Sequence, residues 1–192
     1  MKVKFFPLLA FALIGFTHNT IAQSKKKVME VKRSIYIEVP KEDLWKITAE
    51  DFTRVDKWIS GVNLAKGTGE GLGATRICTP SYKGFSKTTE EIIDFHPTNY
   101  FTYQIAEGMP KMVAKATNTW IHEPQNGGTL LTMQVNMDVR GLMGSIMKGP
   151  MKKRMNTILQ DALEELKLYA ESGELHERKV AAMRKFQTQN RK

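Results

Sequence analysis

Between Val31 and Val39 apolar side chains alternate with polar or amphipathic ones, which predicts a half-buried strand closed by Pro40. The period then shortens. Pro40 suits a helix start, Glu42 and Asp43 favour the helix's positive end, and Leu44, Trp45, Ile47 and Ala49 give it one apolar side. A second short helical piece, Phe52 to Trp58, is expected to end near Ser60 and Gly61. From Val62 onward turn residues divide six further apolar-rich runs, near 62–66, 74–79, 86–95, 100–106, 111–122 and 129–138. The turns are Gly67 to Gly73, His96 to Asn99, Glu107 to Pro110 and Pro124 to Gly128. Such short connections force antiparallel neighbours, because a parallel return needs a crossover of about a dozen residues or more. After Gly141 the period becomes helical, with Leu142, Ile146, Met151, Met155, Ile158, Leu159, Ala162, Leu163, Leu166 and Tyr169 three or four apart. A helix over 142–172 would be roughly 45 Å long, enough to cross a twisted sheet. Gly149 and Pro150 mark a bend or break in it, and Ser172 and Gly173 its stop.

Ahead of this body the chain opens on two lysines within Met1 to Lys4 and an apolar run from Phe5 to Phe16. Thr20, Ile21 and Ala22 then place small residues three and one positions before a cleavage point. That order predicts a secretory leader over 1–22, too short for a membrane span of about 20 residues. The sequence therefore predicts an exported protein, periplasmic or secreted. A basic linker over 23–29, a domain over 30–173 and a basic tail over 174–192 complete the expected organisation.

The 192 residues carry a net charge of +9, of which two charges leave with the leader. Lys25, Lys26 and Lys27 and the last nineteen residues hold the remaining excess, so the body itself is neutral. A nucleic-acid binder would carry its cations as a patch on the folded body, so nucleic acid is not an expected partner. The basic ends serve solubility or touch anionic membrane. With Cys78 as the single cysteine, neither a disulfide framework nor a thiolate zinc cluster forms within one chain.

The order of strand, two short helices, six antiparallel strands and long helix resembles the START-like (SRPBCC) helix-grip superfamily, in its polyketide cyclase/dehydrase branch. Local strings resemble it too: SIYIEVPKEDLWKITAEDFTRVDKWISGV, GLGATRI, Trp120 followed by Pro124 and GGTLLTM, and MKKRMNTILQDALEELKLYA. The resemblance covers about 30–172. It implies an α+β helix-grip fold: a curved antiparallel sheet wrapped around a long C-terminal helix, with two short helices after the first strand. It also implies a function among lipid or hydrophobic-ligand carriers, aromatic cyclases and members with no assigned ligand.

A curved sheet closing on a helix leaves a gap suited to an apolar guest held by a few polar groups. The expected partner is therefore a hydrophobic small molecule or lipid. The candidate lining is Trp58 after the short helices and Arg76 and Tyr82 around the second hairpin. The strands add Phe101, Tyr103, Lys115, Thr117, Trp120, Met133 and Val135, and the helix Met147, Met151 and Met155. A one-residue slip of register would exchange half of the strand candidates. Gly108, Met109 and Pro110 face Gly141, Met143 and Gly144 as a candidate gate.

Catalytic chemistry finds little footing. GTGEGLG lacks the Gly-Lys-Ser/Thr ending and the following helix of a phosphate loop. His96 and His122 have no metal-ligand spacing, and no cofactor is called for. Glu90 and Glu91 point to opposite faces of a strand, and Cys78 has no adjacent activating base in sequence. Cyclase activity on a hydrophobic substrate, with Arg76, Tyr82, Tyr103 and Lys115 as actors, is the alternative to carriage. A noncatalytic interaction module is the third reading.

Overall fold

Alternation extends the first strand beyond its apolar stretch. In the computed structural model, which describes residues 27–189, β1 spans Lys27–Ile37 and pairs along its whole length with the last strand. Met29 and Val31 are buried, so residues 27–29, expected in the linker, are instead the first rungs of the sheet. The expected leader and its cleavage point lie outside the described residues.

The helical connection is short and irregular. Helix α1 (Lys41–Trp45) starts on the Pro40 carbonyl, which accepts from the amides of Asp43 and Leu44 at 3.1 and 3.0 Å. It widens into a single π-type turn over Lys46–Glu50, then tightens into a 3₁₀ segment over Phe52–Lys57. Three pieces thus replace the two expected. The changes of pitch bring Leu44, Trp45, Ala49, Phe52, Val55 and Trp58 all under the sheet, which a straight five-turn helix with one stripe would not do.

The remaining strands are β2 (Val62–Thr68), β3 (Thr75–Pro80), β4 (Thr88–His96), β5 (Tyr100–Glu107), β6 (Val113–Gln125) and β7 (Gly128–Val139). All neighbours are antiparallel, in the order β1-β7-β6-β5-β4-β3-β2. Bulges at Ile92/Asp94 in β4 and Val113/Lys115 in β6 help to curl the sheet. The glycine-rich string is the β2–β3 hairpin. Gly67 is required there because a side chain would collide with the Thr75 carbonyl.

Helix α2 (Gly141–Ser172) crosses this sheet and keeps Pro150 inside its span. The proline forfeits the bond to the Ile146 carbonyl without ending the helix. Leu159, Ala162, Leu163 and Leu166 face the sheet, and Gly173, at φ 76°, caps the helix by donating to the Tyr169 carbonyl at 2.9 Å. The segment expected as a basic tail is, over Glu177–Gln189, a further helix α3. It docks: Lys179, 2% exposed, donates to the Val62 carbonyl at 3.0 Å, and burial lowers its pKa. Arg178 reaches Asp161, Glu164 and Glu165 on α2. Cation and carboxylates were legible separately; their meeting depended on the chain reversing at Gly173.

Candidate functional site

The inner face of the sheet is organised in rows that run across strands. One row is Ile92, Tyr103, Asn118, Val135 and Val31; the next joins Phe95, Phe101, Trp120 and Met133. The first row is apolar except for Asn118 and the tip of Tyr103. Asn118 Nδ2 donates to the Tyr103 hydroxyl at 3.0 Å, while Asn118 Oδ1 has no partner. Turning the amide over would exchange the two atoms and still leave one unpaired. One rung away, the indole Nε1 of Trp120 is also buried without an acceptor. Asn118 and Trp120 are 6% and 3% exposed. Their side chains leave β6 on the same face, two residues apart.

These orphans matter because most buried polar atoms in folded proteins are paired, and each unpaired one costs about 1–3 kcal/mol. An amide atom and an indole N–H left unpaired on one face, two residues apart, suit a guest that carries a hydroxyl or carbonyl. Around them Trp58 meets Trp120 edge-on at 6.2 Å, Phe101 stacks on Trp120 at 5.7 Å, and Met133 and Val135 flank on β7. Met151 and Met155 of α2 pack against the same core.

A second polar group lies under β3 and β4. Arg76 donates through Nε to Glu90 Oε2 at 2.7 Å, and its Nη2 lies 2.6 Å from the same oxygen. Its Nη1 donates to the Phe52 carbonyl at 2.7 Å, and its guanidinium lies 3.9 Å from the centre of the Phe52 ring. Both partners are buried. Burial alone would lower the Arg76 pKa, but the Glu90 charge, the neighbouring Tyr103 and Cys78 and the hydrogen bond to Glu90 together outweigh it and hold the guanidinium cationic. Burial, then the Glu90 charge, push the Tyr103 phenol up, so it stays protonated. Burial likewise pushes Cys78 up to about 12, which keeps it a protonated thiol at neutral pH.

His122, two residues past Trp120, is buried against Trp45 and Phe101. Its Nε2 lies 2.9 Å from the Thr48 hydroxyl, which itself donates to the Leu44 carbonyl at 3.0 Å. Which of the two groups donates in this contact depends on the ring tautomer, and Nδ1 has no partner at hydrogen-bond geometry. Burial drops the His122 pKa to about 4.

The structure thus brings together Trp58, Arg76, Phe101, Tyr103, Trp120, Met133 and Val135 on one buried face. Lys115 and Thr117 do not join them. Lys115 is exposed and Thr117 half-buried on the opposite face, because inward parity on β6 runs through Ala116, Asn118, Trp120 and His122. Counting back by twos from Trp120 would have selected Asn118 instead. Tyr82 also stands apart: it lines a recess of about 390 Å³ with Ser60, Asn63, Arg178 and Phe186, where α3 closes over α2 and the start of β2. A second recess, about 380 Å³, lies between Pro40–Glu42 and the β6–β7 turn. Met147 is half-buried. Of the expected gate, Met109 packs on the core whereas Met143 is 58% exposed. Gly144 lies against Val139 and the Met112 carbonyl. The Arg76–Glu90 partnership and the Glu165 carboxylate, which accepts from the Ser60 amide and hydroxyl at 2.7 and 2.6 Å, had no local sequence signal.

Residues 29–171 match the family described as polyketide cyclase/dehydrase and lipid transport. The chain belongs to that family. Solved structures share the architecture at low identity. The di-domain aromatase/cyclase StfQ of the steffimycin pathway is 13% identical with a TM-score of 0.64, over 75% of this chain and 51% of that two-domain chain. A Thalictrum norcoclaurine synthase point mutant is 15% identical with a TM-score of 0.58, over 76% of this chain and 97% of its own. TTHA0849 of Thermus thermophilus is 18% identical with a TM-score of 0.60, over 80% and 98%. None of the curated proteins compared matches the chain. At these identities the structural likeness establishes the helix-grip fold, and this family member's function rests on its own residues.

Proposed function

We propose that this protein is exported and carries a hydrophobic small molecule or lipid between its sheet and α2. The observation that carries the reading is the unpaired couple on β6: a buried amide atom of Asn118 and the buried Trp120 Nε1, among aromatic and methionine side chains. A guest with one polar end would satisfy both atoms while its apolar part replaced side-chain contacts, the usual economy of a small-molecule site. Methionines suit the lining because their unbranched side chains repack around guests of different shape. The family's range, which includes lipid transport as well as cyclisation, supports the same class of ligand.

The cyclase reading has one supporting observation. The Tyr103 hydroxyl accepts from Asn118 and has no acceptor for its own proton among the described residues, so it is a neutral donor facing the core. Arg76 beside it commits three of its five N–H donors to Glu90 and the Phe52 carbonyl.

The test is detergent-free purification after expression of the full chain, with native and denaturing mass spectra compared and any bound molecule extracted. A stoichiometric apolar ligand is expected, and an intact mass lacking residues 1–22 in the exported fraction. Absence of any ligand over several preparations would overturn carriage, and retention of residues 1–22 would overturn processing.

A further inference from the structure

The first turns of α2 are built unlike the rest of the helix. Leu142, Met143 and Ile146 are 78%, 58% and 60% exposed, although the helix buries apolar residues efficiently further along. At 100° per residue Leu142 and Ile146 project from the side opposite Gly144, Met151 and Leu166, which face the fold. Scattered exposed apolar residues are normal, but three within five positions form a contiguous patch. Exposed Phe85, 41% exposed on the β3–β4 loop, is held against the same helix by the Arg154 guanidinium, 4.4 Å from its ring centre. Val28, 50% exposed, is joined to the helix through Lys148, whose Nζ donates to its carbonyl at 3.3 Å.

The charge on this half of the helix has one sign, and Asp138 of β7, in register with Val28, lies just outside it. From Val139 to Gln160 the sequence has no Asp or Glu and carries Arg140, Lys148, Lys152, Lys153 and Arg154. The bordering loops add Lys83, Lys87 and Lys111, all exposed, and the β5–β6 turn carries Glu107, which accepts from the Thr89 hydroxyl. Helix starts ordinarily favour acids, so an acid-free and cation-rich first half is not explained by helix stability. Apolar side chains projecting among cations are what an interfacial helix presents to a bilayer with anionic headgroups.

We propose that the N-terminal half of α2, with Phe85 beside it, is a docking surface for an anionic lipid bilayer. Leu142, Met143 and Ile146 enter the acyl boundary while Lys152, Lys153 and Arg140 meet the headgroups. This surface is separate from the couple on β6 and from the basic C-terminal end of the chain, whereas Lys27, in register with Val139, borders it; it stands whether or not the interior holds a ligand.

The test uses protein expressed from the full chain, with every variant compared at the same N-terminal processing. Vesicles of phosphatidylcholine with one quarter phosphatidylglycerol are floated with it, and vesicles of phosphatidylcholine alone serve as the comparison. Met143→Cys, labelled with an environment-sensitive fluorophore, reports insertion, since the native Cys78 is buried. A blue shift on anionic vesicles is expected. Leu142→Ser with Ile146→Ser should reduce partition at least ~10-fold, since two well-exposed apolar side chains lose their transfer into the acyl boundary. Lys152→Glu with Lys153→Glu should reduce it comparably and flatten its salt dependence. All four positions are surface sites, so circular dichroism should remain unchanged. Binding that survives both pairs, or that is lost only when the cations beyond Gly173 are replaced, would overturn the proposal. So would flotation without any fluorophore shift.

Discussion

Asn118 donates to the Tyr103 hydroxyl across β5 and β6 at 3.0 Å, and the rest of its amide has no partner. The pair sits in a row otherwise made of Ile92, Val135 and Val31, where a leucine would fit the pattern better than an amide. Asn118→Leu is therefore expected to leave the thermal midpoint of the ligand-free protein unchanged or raise it, because the lost bond to Tyr103 is offset by removal of an orphaned polar atom worth about 1–3 kcal/mol. Affinity for the extracted ligand should fall about tenfold, the equivalent of one hydrogen bond. Calorimetry and titration separate the two effects; an equal loss of stability and no loss of affinity would make Asn118 structural.

The buried Arg76–Glu90 pair predicts a different asymmetry. Glu90→Gln strands a guanidinium that is 5% exposed and should destabilise the fold by about 3 kcal/mol. Arg76→Met combined with Glu90→Leu should recover most of that loss, because both desolvation penalties disappear together. Urea midpoints at pH 7 measure this, and additive losses in the double variant would contradict it.

His122 makes folding sensitive to acid. The unfolded imidazole takes its proton near 6.5, whereas burial delays protonation in the folded protein to about 4. Between these values the unfolded chain binds more protons, so stability present above 6.5 is lost as pH falls toward 4. The whole effect is roughly 3 kcal/mol at 1.36 kcal/mol per unit. Carboxylates add their own acid dependence, so the informative curve is the difference between wild type and His122→Gln. A flat difference between pH 7 and 4 would remove His122 as the cause.

Docking of α3 depends on Arg178 neutralising Glu165, a carboxylate 1% exposed that already accepts from Ser60. Arg178→Met leaves that charge buried with only the Ser60 donors, at a cost of about 2 kcal/mol. Hydrogen exchange should show α3 opening before the sheet in the variant and together with it in the wild type.

The sequence by itself determined the seven strands and the long helix. Period-two alternation, turn residues at Asn99, Gly108 and Gly127, and a thirty-residue helical stripe are local properties, so strand number, antiparallel pairing and the long helix could be read without coordinates. Inward parity on β7 was legible from Leu131, Met133, Val135 and Met137 for the same reason. What tertiary structure decided was which atoms meet. The β6 parity was missed at Lys115 and Thr117, where a bulge and a mixed pattern blur the alternation, and with it Asn118. Arg76 with Glu90, Thr48 with His122 and Glu165 with Ser60 and Arg178 join residues from different elements. Such partnerships depend on how the sheet curls and where α3 turns back, and a curl set by many small twists along seven strands leaves no mark at any single position.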